Sequence, residues 1–137
     1  MHVIAQNRKA SFDYELSETF EAGIALSGPE IKAVRAGKVQ ITGSYVRFLS
    51  GECIWLGGII QTGADEQRNR KLLLHRNQIS SLIGKTEQKG FSLIPTKLYL
   101  KRNMAKLEFS LAKGSKEYDK RAKIRRKDER RYEQQLT

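Results

Sequence analysis

Basic side chains stand near tyrosines at several points of this 137-residue chain. Lysine and arginine can hold phosphate groups, and an aromatic ring can stack on an unpaired base. The basic clusters are Asn7-Arg8-Lys9, Lys32 with Arg35, the stretch from Arg68 to Lys71 and the run from Lys113 onward, and the tyrosines are Tyr14, Tyr45, Tyr118 and Tyr132. Together they predict an RNA-binding surface, with burial in the core as the alternative for Tyr14 and Tyr45.

Residue types that carry catalysis are sparse and poorly spaced. His2 and His75 are far apart, so they do not form the pair one helical turn apart that a zinc site uses. Cys53 stands alone in a strand-like segment, which is typical of a small buried hydrophobe. The Gly57-Gly58 pair lacks the lysine and hydroxyl residue of a phosphate-binding loop. We predict that the protein is not an enzyme and has no metal or cofactor.

Charge separates two parts of the chain. The 26 basic and 15 acidic residues give a net charge of +11, which favours a polyanionic partner. Residues 1–113 carry +7, and residues 114–137 carry +4 in only 24 residues. The second part has too few apolar residues to repay the entropy of folding. We predict a body of residues 1–113 and, after a hinge at Gly114, a basic tail that is disordered alone and helical when bound.

The chain shows no segment for membrane insertion or export. Its longest apolar stretch, Ile54 to Ile60, is short and is interrupted by two glycines. Residues 1–10 lack the apolar core of a secretory signal, and a single cysteine cannot form an internal disulfide. We predict a cytoplasmic monomer that contacts no membrane.

The elements that must position these residues are mainly strands. Alternating apolar residues predict one bent strand or two strands over 11–26, and β-branched and aromatic residues predict strands in later segments. These segments are 41–49 and 53–60, paired around Ser50-Gly51, and 91–100 and 104–111, joined by Lys101-Arg102-Asn103.

Two helices are predicted between the strands. Ser27-Gly28-Pro29-Glu30 supplies a cap, a proline and an acid for a helix that ends near Ala36. Apolar spacing predicts a second helix over 72–84 that continues toward Lys89. Five or six short strands with two helices fit a small closed antiparallel barrel of the OB type better than a bundle or a doubly wound sheet.

Several short motifs follow one another at defined spacings along the chain. They are Asn7-Arg8-Lys9-Ala10 with Asp13-Tyr14, Phe20-Glu21-Ala22-Gly23-Ile24, Gly28-x-Glu30-Ile31-Lys32, Val34-Arg35-Ala36-Gly37 with Ser44-Tyr45, Arg70 to His75, and Leu111-Ala112-Lys113-Gly114 with Tyr118-Asp119-Lys120-Arg121. In order and spacing the chain resembles the small protein B family, the bacterial partners of transfer-messenger RNA. The likeness covers nearly the whole chain. Pro29 and a shortened segment from Thr62 to Arg68 depart from the usual family pattern.

The resemblance implies an OB-fold body that grips the tRNA-like domain of transfer-messenger RNA. The residues that match the family's RNA-facing positions are Asn7, Arg8, Lys9, Tyr14, Glu21, Lys32, Arg35, Arg70, Lys71, Leu73 and Lys113. The Glu21 carboxylate can accept hydrogen bonds from base amino or imino groups. The alternative for Glu21 is an ion pair on a strand surface.

The resemblance also implies that the tail enters the empty messenger channel of the ribosome. Lys116, Tyr118, Asp119, Lys120 and Arg121 match the family's decoding-centre segment. The Tyr118 ring would stack on a ribosomal base there, and its alternative is to pack against Leu111 or Ala122. The protein would then be a ribosome-rescue adaptor in trans-translation.

Two other functions remain open from the sequence. A general single-strand RNA-binding protein or a ribosomal OB-fold protein would explain the body and the charge, but would not require the 118–121 motif. An RNA-processing enzyme is the third possibility, which a cleavage assay with and without magnesium would reveal.

Overall fold

The computed structural model describes residues 1–88 and 90–114. The predicted tail residues therefore lie outside the described residues, except Gly114. Within these ranges the elements are β1 (His2–Gln6), α1 (Ala10–Asp13), β2 (Tyr14–Ile24), α2 (Gly28–Arg35), β3 (Val39–Gln40), β4 (Tyr45–Leu49), β5 (Glu52–Leu56), β6 (Ile59–Ile60), β7 (Arg70–Leu73), α3 (Arg76–Thr86), β8 (Phe91–Lys101) and β9 (Met104–Gly114).

The strands close into an antiparallel barrel. Hydrogen-bonded neighbours run in the order β8, β4, β5, β7, β2, β9, and β9 pairs again with β8. Strand β1 adds to β8 on the outside of this ring, and β3 pairs with β6 as a separate short ribbon. The small antiparallel barrel predicted from the sequence is confirmed.

Both predicted hairpins are present. Ser50 and Gly51, at φ 52° and 79°, turn the chain between β4 and β5. Arg102 and Asn103, at φ 53° and 64°, do the same between β8 and β9. Two consecutive left-handed residues form the tight turn whose twist matches that of the flanking strands.

The core lies inside the barrel. Leu107, Phe109 and Leu111 alternate along β9 and are buried there, as their spacing predicts. Trp55 on β5 is fully buried, and its indole N–H donates a 3.0 Å hydrogen bond to Ser44 Oγ. Cys53 is also buried, as predicted, and burial raises the pKa of its thiol to about 12. The thiol is therefore protonated at neutral pH, the form that is not nucleophilic.

Helix α2 forms as predicted, with a complete capping box. Ser27 Oγ accepts from the Glu30 backbone N–H at 3.3 Å, and Glu30 Oε1 accepts from the Ser27 N–H at 2.9 Å. Pro29 stands in the first turn, where a missing N–H costs no intrahelical bond. The helix ends at Arg35, one residue before the predicted end.

The predicted start of the second helix is wrong. Residues 70–73 form strand β7, and helix α3 begins only at Arg76. Arg70 and Leu72 are buried while Lys71 and Leu73 are exposed, which is the period of two of a strand. The same segment closes the barrel by pairing with β2 and β5. Barrel closure therefore overrides the local helical spacing.

The N-terminal segment also differs from the prediction. Residues 2–6 form a strand that the sequence pattern did not indicate, and residues 10–13 form the one-turn helix α1 instead of the start of a strand. Phe12 is the first of the alternating apolar residues in 11–26, whose spacing predicts a strand face on the core, but it is 89% exposed. Gly114 ends β9 opposite Tyr14, so the predicted hinge residue belongs to the barrel.

No helix among the described residues combines the length and apolar character that crossing a membrane requires.

Candidate nucleic-acid interface

Three of the predicted RNA-facing residues share the outer face of the β2–β7 pair. Gly23 pairs with Leu73, and alternate residues of a strand point to the same side, so Glu21, Lys71 and Leu73 all face outward. Leu73 is 53% exposed, and Lys71 and Glu21 are partly exposed as well. We call Glu21, Lys71 and Leu73 the β2–β7 face. It presents an acceptor, a cation and an apolar side chain close together.

Clefts lie on both sides of this face. One, of about 520 Å³, is lined by Lys71, Leu73 and residues of α3 such as Ile79. The other, of about 480 Å³, lies between Glu21 and the α3 residues Asn77 and Gln78. Helix α3 therefore borders both clefts, and Asn77, Gln78 and Glu21 line the second of them.

Glu21 has partners within the protein. The Tyr99 hydroxyl donates a hydrogen bond to Glu21 Oε2, and Lys101 Nζ lies 3.8 Å from Glu21 Oε1. The ion pair that was the alternative for Glu21 is therefore present. Burial raises the pKa of Tyr99, and its hydrogen bond to Glu21 raises it further. The phenol thus stays protonated as a donor at neutral pH.

A second group of predicted residues lines a different cleft. Asn7, Lys9 and Tyr14 border a space of about 280 Å³ near the start of β2. The Asn7 side-chain amide donates to the Pro95 carbonyl at 3.0 Å, and Asn7 Oδ1, although buried, has no hydrogen-bond partner among residues 1–88 and 90–114. Arg8 is exposed beside them. The predicted set therefore divides into at least two groups.

The remaining predicted cations are exposed on other elements. Lys32 and Arg35 stand near the end of α2, where cations also favour the helix dipole. Lys113 is exposed near the end of β9, with its Nζ 5.9 Å from the centre of the Phe91 ring. Lys116, Tyr118, Asp119, Lys120 and Arg121 lie outside the described residues.

Arg70 does not fit its prediction as a surface cation. Its side chain is fully buried, with Nε 2.6 Å from Glu30 Oε2 and the guanidinium 5.4 Å from the centre of the Trp55 ring. It also donates to the carbonyl oxygens of Gly58 and Glu66 at 3.1 and 3.0 Å. The positive charge of Arg70 is paired entirely within the protein, as a buried cation requires. Arg70 therefore fixes β7 from within the barrel.

Glu30 is the residue whose importance the sequence pattern missed. Its carboxylate accepts from Arg68 at 2.5 Å and from Arg70 at 2.6 Å, in addition to capping α2. Burial alone would raise the pKa of Glu30, but hydrogen bonds from Arg68, the Ser27 N–H and Arg70, with the charge of Arg70, lower it to about 2. The sequence signals for Glu30 were its place as an acid in the first turn of α2 and its place in the Gly28-x-Glu30-Ile31-Lys32 motif, and neither indicated a buried ion cluster.

The described residues hold no group of three or more histidine, cysteine, aspartate or glutamate side chains placed to bind a metal ion. The site is instead a surface that combines exposed cations, the Glu21 carboxylate bound by Tyr99, and the exposed apolar side chain of Leu73. Such a surface can bind RNA through phosphates and unpaired bases.

Comparisons with known proteins identify the family that this chain matches. The family model described as SmpB protein matches residues 4–137. The SsrA-binding protein of Shouchella clausii (strain KSM-K16) is 48% identical over 136 residues, which cover 94% of this chain and 87% of that protein. The SsrA-binding protein of Roseiflexus sp. (strain RS-1) is 49% identical over 138 residues, with the same two coverages.

A solved structure gives the same result for the fold. It is described as "tmRNA-SmpB: a journey to the center of the bacterial ribosome", and one of its chains is 47% identical to this one with a TM-score of 0.68. The match covers 82% of this chain and 84% of that chain. With the family model matching nearly every residue, the chain belongs to the SmpB protein family.

Proposed function

We propose that this protein is an RNA-binding adaptor that binds the tRNA-like domain of transfer-messenger RNA and delivers it to stalled ribosomes for trans-translation. The observation that carries the proposal is the β2–β7 face. It occurs on a chain of the SmpB protein family, and relatives of this chain are described as SsrA-binding proteins. Because both partners are the translation apparatus and its RNA, the protein acts in the cytoplasm.

The chemistry of the β2–β7 face supports binding to unpaired RNA bases. Lys71 offers a cation for a phosphate, and Leu73 offers exposed apolar surface to a base or ribose. Glu21 offers a carboxylate, which accepts hydrogen bonds and therefore suits base amino and imino groups. A face that served phosphates alone would not need this acceptor.

The β2–β7 face is tested by two substitutions and one control. We expect Lys71→Glu and Leu73→Ala each to weaken binding to transfer-messenger RNA by roughly tenfold, which corresponds to about 1.4 kcal/mol. Lys38→Glu makes the same change of charge on an exposed residue outside the face and should have a smaller effect. The measurement is an electrophoretic-shift titration with bulk tRNA as competitor.

Two outcomes would contradict the assignment. Equal losses for Lys71→Glu and Lys38→Glu would mean that only net charge matters. Equal affinity for transfer-messenger RNA and bulk tRNA would favour a general single-strand RNA-binding protein instead.

For residues 115–137 we propose entry into the empty messenger channel, with Tyr118 stacked on a base of the decoding centre. The high positive charge of this segment and its match to the family's motif support the assignment. A chain that ends at Gly114 should keep its thermal midpoint and its RNA affinity while losing the tagging of stalled chains. Retained tagging would remove the segment from the mechanism.

The role of Tyr118 is tested separately. Base stacking is worth about 1–3 kcal/mol, so Tyr118→Ala should slow peptidyl transfer to transfer-messenger RNA by about ten- to a hundredfold. Tyr118→His keeps a flat ring and should have a mild effect. Rapid-kinetic measurement on ribosomes with an empty decoding site compares the two, and a normal rate for the alanine variant would exclude stacking by Tyr118.

A further inference from the structure

Tyr99 is buried although it belongs to the outer side of the barrel. It is 3% exposed and lies on β8 next to Leu98, which packs into the core. Alternate strand residues face opposite sides, so Tyr99 faces away from the core together with its neighbour Lys101. Its ring is therefore covered by outer-face side chains, and its placement is not explained by core packing.

The Tyr99 ring reaches across one strand. Tyr99 pairs with Lys106 on β9, and Lys106 pairs with Gly23 on β2. Two strand spacings amount to about 9.6 Å, a gap that a tyrosine and a glutamate side chain span together. The phenol meets the carboxylate of Glu21 on β2. The two side chains thus bridge β8 and β2 over β9.

The bridge fixes the direction of the Glu21 carboxylate. The hydroxyl of Tyr99 has one hydrogen, and Glu21 Oε2 accepts it. Lys101 Nζ lies 3.8 Å from Glu21 Oε1, which is longer than a hydrogen bond. Oε1 therefore remains available as an acceptor, on a residue that lines the 480 Å³ cleft.

We propose that Tyr99 is a positioning residue for RNA recognition, and that its hydroxyl holds the Glu21 carboxylate in the orientation in which Oε1 accepts from an unpaired base. The inference rests on the proposed function. A free glutamate on a strand surface loses side-chain entropy when it binds, and a carboxylate already held by a phenol has lost that entropy on folding. Tyr99 thereby raises RNA affinity without touching the RNA.

The test is a double-mutant cycle with Tyr99→Phe and Glu21→Ala, using full-length protein and transfer-messenger RNA. Tyr99→Phe removes only the hydroxyl, and we expect roughly tenfold weaker binding, the size of one hydrogen bond to a charged group. When Glu21 is already alanine, Tyr99→Phe should change the RNA affinity less than twofold. This limit corresponds to the ~0.3–0.5 kcal/mol by which the effects of independent substitutions depart from additivity. The coupling separates positioning of Glu21 from a general loss of stability.

Ser17→Ala is the control. Ser17 Oγ donates to the Leu111 carbonyl oxygen at 3.1 Å, so this variant also removes a hydroxyl hydrogen bond between two strands of the barrel, but one that does not involve Glu21 or Tyr99. It should leave RNA affinity unchanged even if it lowers the thermal midpoint.

The outcomes separate the inference from the proposed function. Wild-type protein that does not bind transfer-messenger RNA would overturn both. Weak binding by Glu21→Ala with wild-type binding by Tyr99→Phe would overturn the role of Tyr99 alone. Equal losses from Tyr99→Phe in both backgrounds would also overturn it, because the hydroxyl would then act independently of Glu21.

Discussion

Neighbouring basic residues have opposite roles in β7. Lys71 is on the outer face, while Arg70 is inside the barrel with Glu30 and Trp55. The sequence showed a basic cluster but not which side chain points inward, because that depends on the register between β7 and β2. Glu21, Lys71 and Leu73 were predicted from the family motifs, and their position on one outer face needed the strand pairing. The partners of Glu30 come from residues 38 and 40 positions away, so no local pattern reveals them.

The Glu30 carboxylate gives a prediction for stability. Glu30→Gln leaves Arg68 and Arg70 without their shared anion, and breaking a buried ion pair costs about 3–5 kcal/mol. Urea denaturation of the two proteins at neutral pH measures the loss. Glu52→Gln is the control, since Glu52 pairs with Lys71 on the surface at 3.4 Å and should contribute less than about 1 kcal/mol.

The same carboxylate predicts a pH dependence. The pKa of Glu30 is lowered to about 2 in the folded protein from an ordinary value of 4.5, so folding favours its ionised form. The stability that it contributes, about 3 kcal/mol, is complete above pH 4.5 and is lost as the pH falls toward 2. The difference in unfolding free energy between wild type and Glu30→Gln should therefore shrink across this window. A constant difference would contradict the assignment.

At the scale of the elements, local sequence decided some features and distant contacts decided others. The hairpin turns at Ser50-Gly51 and Arg102-Asn103, and the cap of α2, follow from a few adjacent residues, so they were predictable. The last two residues of β7, Leu72 and Leu73, were predicted as the start of a helix because apolar spacing is ambiguous over so short a segment. Its pairing with β2 and β5 decided the outcome, and such pairing cannot be read from a short window.

The turn after β5 gives a prediction about glycine. A Cβ on Gly58 would overlap the buried ring of Trp55, and the Gly58 carbonyl also accepts from Arg70. Gly58→Ala should therefore cost about 1–3 kcal/mol, the usual penalty of overpacking. Gly84→Ala in α3 meets no atom within 4 Å and should stabilise the protein by up to about 1 kcal/mol. Thermal unfolding compares the two, and equal midpoints would disprove the steric argument.

For the whole molecule, the net charge of +7 on residues 1–113 predicts that RNA binding depends on salt. Each phosphate neutralised releases counterions, so the logarithm of the RNA affinity should fall steeply with the logarithm of the salt concentration. Removing the phosphate contact of Lys71 should make this slope shallower by about 1. Titrations between 50 and 200 mM salt, roughly the range over which such proteins lose most affinity, measure both effects. An affinity unchanged across this range would contradict electrostatic binding.

Strand β9 completes the ring of strands and is also the last strand of that ring to be synthesised, so the barrel can close only late in translation. Strand β9 pairs with both β2 and β8, and Tyr14 meets Gly114 across this seam. Until the ribosome has delivered β9, the nascent chain has two open sheet edges and an interior exposed to water. Contacts so distant in sequence also form slowly, because a long loop must close first. A copy cut short before residue 104 therefore cannot complete the barrel and remains a substrate for proteases.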